Sequence, residues 1–168
     1  MLAITRWVLR ALLVLNVVVG AVLLLVLVWS LVNEPRFLAI NQRLFPDGDL
    51  TSVLFYTRVS LALIAPVMVA AHLLLGRLLA ILRTLEGGEP FVAENAERLR
   101  VIAWSLLAIQ FCDLGFGWAT ESANLAAGER FGAWSPGLTG WVAVLLCFVL
   151  ARVFREGTRL RSDVELTI

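Results

Sequence analysis

Residues 11–32 read ALLVLNVVVGAVLLLVLVWSLV, a run without a single charge. At 1.5 Å per residue, its ~22 residues cover the roughly 30 Å of a bilayer's hydrocarbon core. Arg6 and Arg10 precede it, as basic residues precede a secretory signal. The run nevertheless exceeds the roughly 7–15 apolar residues of such a signal, and Asn33-Glu34-Pro35 offers no small-residue cleavage site. It reads as an uncleaved first membrane span.

Three further apolar runs follow, giving spans of about 11–32, 59–82, 101–120 and 137–155. The second holds Pro66, His72, Gly76 and Arg77, so it crosses only if proline is tolerated and Arg77 reaches toward the interface. The third carries Gln110 and Asp113, and the fourth is clean until Arg152 and Arg155. Apolar residues make up 60% of the chain and charged ones 16%, far from the roughly 45–50% apolar share of soluble domains. The expected fold is all-α: one integral membrane domain over residues 1–168, built as a four-helix bundle. Cys112 and Cys147 lie inside apolar runs and read as small packing residues rather than a disulfide framework.

All 14 basic residues are arginines, and they gather at the ends of the runs. Arg6, Arg10, Arg77, Arg83, Arg98, Arg100, Arg152, Arg155, Arg159 and Arg161 fall at one end of the bundle, against Arg36, Arg43, Arg58 and Arg130 at the other. That bias places both termini and the 83–100 hairpin in the cytoplasm, with loops 33–58 and 121–136 outside. The charge pattern is no nucleic-acid footprint, so direct nucleic-acid binding is not expected. Trp7, Trp29, Trp118, Trp134 and Trp141, near span ends, fit aromatic belts. In the first outer loop, Pro35 to Phe45 is amphipathic and predicts a short helix on the outer surface. Pro46-Asp47-Gly48-Asp49 then turns the chain, and it lacks the twelve-residue ligand pattern of a calcium loop.

Polar groups inside a membrane are costly and usually face the bundle interior. Gln110, Asp113, Gly117, Thr120, Glu121 and Asn124 draw one helical stripe on the third span. The antiparallel second span sets His72 roughly 6 Å from Asp113 along the axis, within reach of a direct or water-bridged hydrogen bond. Such a pair serves either as interhelical glue, at about 0.6 kcal/mol per bond, or as a proton relay. As the only histidine, His72 makes a poor haem or metal site without further ligands, so no cofactor or metal is expected. Gly140, Ala143, Cys147 and Ala151 form a small-residue face for close packing, within the bundle or between protomers of a homo-oligomer.

Two cytoplasmic segments are richer in sequence features. In the hairpin, Gly87-Gly88 ends one helix and Pro90 suits the start of the next, with Glu94–Arg98 and Glu97–Arg100 spaced to pair. In the tail, 156–168, Gly157 is a natural helix stop, and Val164 to Ile168 is β-prone, either a strand for a partner's sheet or a plain docked terminus. Gly88-x-Pro-Phe-x-x-x-Asn-Ala-x-Arg-Leu-Arg100 and Phe154-Arg-x-Gly-x-x-Leu-Arg-x-Asp-x-x-Leu-Thr-Ile168 resemble the bacterial membrane family numbered 2975 among domains of unknown function, the YoaS-like proteins. The resemblance implies a four-span bacterial inner-membrane protein, often encoded beside a small helix-turn-helix regulator, with no catalytic residues to carry over.

These readings converge on a regulatory or scaffolding protein rather than an enzyme, since no phosphate loop, metal-ligand cluster or nucleophile–base set is present. Its candidate interaction site is cytoplasmic: Pro90, Phe91, Asn95, Arg98, Arg100, Gly157, Leu160, Asp163, Leu166, Thr167 and Ile168. The competing reading is a small transporter or ion pathway on His72, Gln110 and Asp113.

Overall fold

The breaks in hydropathy become helix ends. The computed structural model describes residues 2–88, 92–128 and 132–165, without the side chains of Leu2 and of 160–165. These residues form α1 (Leu2–Val32), α2 (Glu34–Leu44), α3 (Leu50–Glu86), α4 (Ala93–Ala127) and α5 (Leu138–Glu165). All but α2 are long and apolar enough to cross a membrane.

Each crossing helix is longer than the apolar run read from the sequence, and two of the differences have a clear local basis. α3 begins at Leu50, well before residue 59, because Asp49 caps it: its carboxylate accepts from the Thr51 and Ser52 amides and from the Ser52 hydroxyl, the last at 2.6 Å. The Ser52 hydroxyl and amide hold the Asp49 carboxyl below its ordinary pKa. The Asp49 amide in turn donates to the Ala126 carbonyl at 2.8 Å, so the 46–49 turn closes the end of α4. α5 runs through Gly157 to Glu165 instead of stopping. A glycine ends a helix by turning left-handed, and among the described residues only Gly88 and Gly128 do so. Leu166, Thr167 and Ile168 lie outside the described residues.

The four-helix bundle expected from the sequence is laid out helix beside helix. Among the described residues, α1 packs on α3 and α2, α3 on α4, and α4 on α5, while α1 meets neither α4 nor α5. The helices stand in a row, and the first helix explains why. Along α1 the positions shielded from solvent are Arg6, Leu9, Leu13, Asn16, Gly20, Leu23, Leu27 and Ser30. Steps of three and four alternate strictly, the seam of a two-helix coiled coil, which serves one partner only. Polar clasps mark its length: Arg6 with Glu86 at 3.4 Å, Asn16 Nδ2 to the Met68 carbonyl at 3.0 Å, and Arg58 to the Ser30 carbonyl at 2.7 Å. Arg58 also reaches Glu34 at 3.3 Å, tying α2 to the same end.

The α3–α4 pair is pinned at its other end by a buried amide. Asn95 is fully shielded; its Nδ2 donates to Thr84 Oγ1 at 2.8 Å, and Thr84 donates onward to the Ile81 carbonyl at 2.7 Å. Arg98 donates to Asn95 Oδ1 at 2.7 Å, completing a chain with each strong acceptor used. Helix register then brings Arg10, Arg77, Arg100 and Arg152 to a common level within roughly one turn, with both described chain ends at that side.

Replacing Asn95 by leucine leaves Thr84 and Arg98 without their partner in a buried place. Thermal and denaturant unfolding of the detergent-solubilised chain should show a loss of about 1–3 kcal/mol, against little change for the exposed Glu94→Ala. Equal stability of the two variants would remove the amide as the pin.

Candidate functional site

The polar stripe of α4 has a neighbour that the sequence did not disclose. Trp134, from the non-helical stretch 132–137, lies with its indole over Gly117, where a Cβ would collide with the ring. Its Nε1 donates to Asp113 Oδ1 at 3.3 Å. Asn124 Nδ2 donates to the Gly132 carbonyl at 2.6 Å, Gly132 stands close to Thr120, and Gly140 packs against the Gln110 amide. The stripe is thus the bed for residues 132–140.

Geometry explains why a bed is needed. Residues 132–137 lead into α5 without helical hydrogen bonds of their own, so their polar groups need partners elsewhere. Non-helical backbone beside membrane-spanning helices is tolerated where protein or enclosed water satisfies it. From α4, Asn124 satisfies the Gly132 carbonyl and Asp113 the Trp134 indole N–H. The small-residue face of α5 also stays inside the chain, with Gly140 on Gln110 and Ala151 buried.

This arrangement corrects the proposed His72–Asp113 pair. His72 lines a groove between α1 and α3 with Asn16, Gly20 and Met68, whereas Asp113 lines a separate cavity of about 210 Å³ between α3 and α4 with Ser60, Leu63, Val67 and Cys112. The two residues of α3 that line these spaces, His72 and Val67, lie on different sides of the helix. Asp113 is bonded to Trp134 instead.

At the arginine-rich end the hairpin residues divide. Asn95 and Arg98 turn inward as the pin just described, and Arg100 turns outward to Glu97 at 3.2 Å. Between the start of α4 and the last turns of α5 lies a cleft of about 320 Å³, lined by Ala93, Ala96 and Glu97 on one side and Arg155, Thr158 and Arg159 on the other. Thr158 is held by its hydroxyl's bond to the Phe154 carbonyl at 2.8 Å, and Gly157 sits half-buried beside it. Pro90 and Phe91 lie outside the described residues, as do the side chains of Leu160 and Asp163. Arg155, Arg159 and Glu97 were absent from the sequence-based site; an i, i+4 arginine pair opposite a helix start was the available signal.

Four long helices, each apolar enough to cross a membrane, define a multi-pass membrane protein. Residues 42–168 match the family described as "Protein of unknown function (DUF2975)", and the chain belongs to that family. No curated protein and no solved structure matches it.

Gly117→Ala should displace Trp134, costing about 1–3 kcal/mol as overpacking does and shifting indole emission to the red. Asp113→Asn retains a carbonyl acceptor for the indole and should leave the emission near wild type. An unshifted spectrum for Gly117→Ala would detach Trp134 from the stripe.

Proposed function

We propose that this chain is a non-catalytic, membrane-anchored platform whose arginine-rich end holds a cytoplasmic partner. The observation that carries the reading is the cleft between Ala93, Ala96 and Glu97 of α4 and Arg155, Thr158 and Arg159 of α5. It joins the hairpin and the tail, the two segments richest in sequence features, into one concave surface. α5 supports the cleft by continuing thirteen residues (165 − 152) past Arg152, about 20 Å beyond the common arginine level. Arginines one turn apart favour a partner that presents carboxylates, and a small helix-turn-helix regulator is the candidate the family resemblance suggests. The arginine bias supports a bacterial inner-membrane location with this end in the cytoplasm and α2 on the outer surface.

The transporter reading has lost the contact that motivated it. His72 and Asp113 line separate spaces, Gln110 is packed by Gly140, and the row of helices encloses no central lumen among the described residues.

A photo-crosslinking residue at Ala93, in native membranes, should trap a discrete protein adduct. Arg155→Glu with Arg159→Glu should abolish that adduct, while Arg43→Glu at the opposite end leaves it. An adduct that survives the charge reversal, or none in the wild-type background, would refute the platform.

A further inference from the structure

One face of the helix row carries two matched grooves. Between α1 and α3 runs a groove of about 450 Å³, walled by Gly20, Ala21 and Ala65, with Asn16 and His72 as its polar members. Between α3 and α4 runs another of about 460 Å³, walled by Pro66, Val101, Trp104 and Ala108, with the buried Ser105 at its side. Val69 and Leu73 line both, so the grooves flank a single exposed ridge of α3 at the same depth. Small residues cause the hollows: Gly20, Ala21 and Ala65 on one side and Ala70 and Ala108 on the other give adjoining helices little to fill them.

The polar groups of this face are graded along the axis. Glu97 and Arg100 close the arginine-rich end of the α3/α4 groove, paired at 3.2 Å. The ridge itself continues to Gly76, beside which a Cβ would meet nothing, and then to the exposed Arg77. One turn below Gly76, about 6 Å deeper, His72 stands exposed in the other groove. Asn16 spends its Nδ2 on the Met68 carbonyl.

We propose that this face binds one anionic diacyl phospholipid astride α3. Its two acyl chains lie in the two grooves on either side of Val69 and Leu73. Its phosphate sits over the Gly76 notch against Arg77 and Arg100, and His72 donates a hydrogen bond at the level of the glycerol esters. Two arginines against the single carboxylate of Glu97 leave that end net positive, which selects an anionic headgroup over a zwitterionic one. Basic pockets between spanning helices hold anionic headgroups by the same electrostatics. A histidine exposed toward lipid, expensive as a bystander, becomes a donor at the polar edge of the bilayer.

Native mass spectrometry of the full chain in detergent, titrated with dioleoyl phosphatidylglycerol and dioleoyl phosphatidylcholine, tests the site. A one-to-one phosphatidylglycerol adduct should form with at least fivefold preference. Arg77→Gln and Arg100→Gln should each reduce that preference about fivefold, the effect of one arginine near a charged surface. Ala21→Trp and Ala108→Trp, both at exposed positions, fill one groove each and should weaken both lipids alike, with circular dichroism and melting confirming an intact fold. Single-chain lysophosphatidylglycerol should bind less well than the diacyl lipid. Equal binding of the two diacyl lipids, a preference that outlasts loss of both arginines, or adducts indifferent to both tryptophans would each overturn the assignment.

Discussion

The buried amide of Asn95 is the constraint on which the other placements depend. An amide with no access to water must have its hydrogen bonds met; Thr84 meets them from α3, which ties one alignment of α3 against α4, while Arg98 bonds it from within α4. That alignment sets Asp49 against Ala126 some 50 Å away at the far end of the same pair, where the 46–49 turn closes α4. Between those points the helices are apolar and would slide at little cost, since lipid tails are as apolar as leucine and give no hydrophobic drive to helix pairing. The two polar ends therefore fix what the greasy middle leaves free, including the levels of Arg77 and Arg100.

The same rule, that backbone and polar groups at membrane depth must find protein partners, accounts for the stripe on α4. Residues 132–137 lead into α5 without helical hydrogen bonds, so their polar groups are met from α4. Asn124 takes the Gly132 carbonyl, and Asp113 takes the Trp134 indole. Glycine at 117 is required by close approach, because any side chain there would occupy the ring's place. The cost of carboxylate and amide side chains inside the membrane is offset by the partners they satisfy, and no transported species is needed to explain them.

What was legible in the sequence follows from which signals are one-dimensional. Length and hydropathy mark the four crossings without ambiguity, and the stripe on α4 stands out because polar residues are rare there. The heptad seam of α1 was hidden, since leucine and valine surround the helix and only Asn16, Gly20 and Ser30 betray the buried side. Pairing His72 with Asp113 failed for want of an angle: rise per residue gives depth, but not which side of α3 faces α4. Gly157 read as a stop because glycine so often adopts the left-handed turn; here the chain stays right-handed and the helix goes on. The role of Trp134 lay beyond reach, since a loop's path over a helix leaves no periodic trace.

The bounds of the family match divide the structure along a physical boundary. Residues 42–168 contain α3, α4 and α5, joined by the Asn95 pin and by the bed for Trp134, so the cleft at Ala96 and Arg155 is built wholly within the matched stretch. α1 lies before it and, among the described residues, is attached through one seam with three polar clasps and no contact to α4 or α5. The cleft therefore does not depend on α1 for any of its walls. The groove holding His72 does, because Asn16, Gly20 and Ala21 form its far side. Whatever acts at the cleft belongs to the stretch matched to the family, while the groove that His72 lines is completed by a helix packed on from outside that stretch.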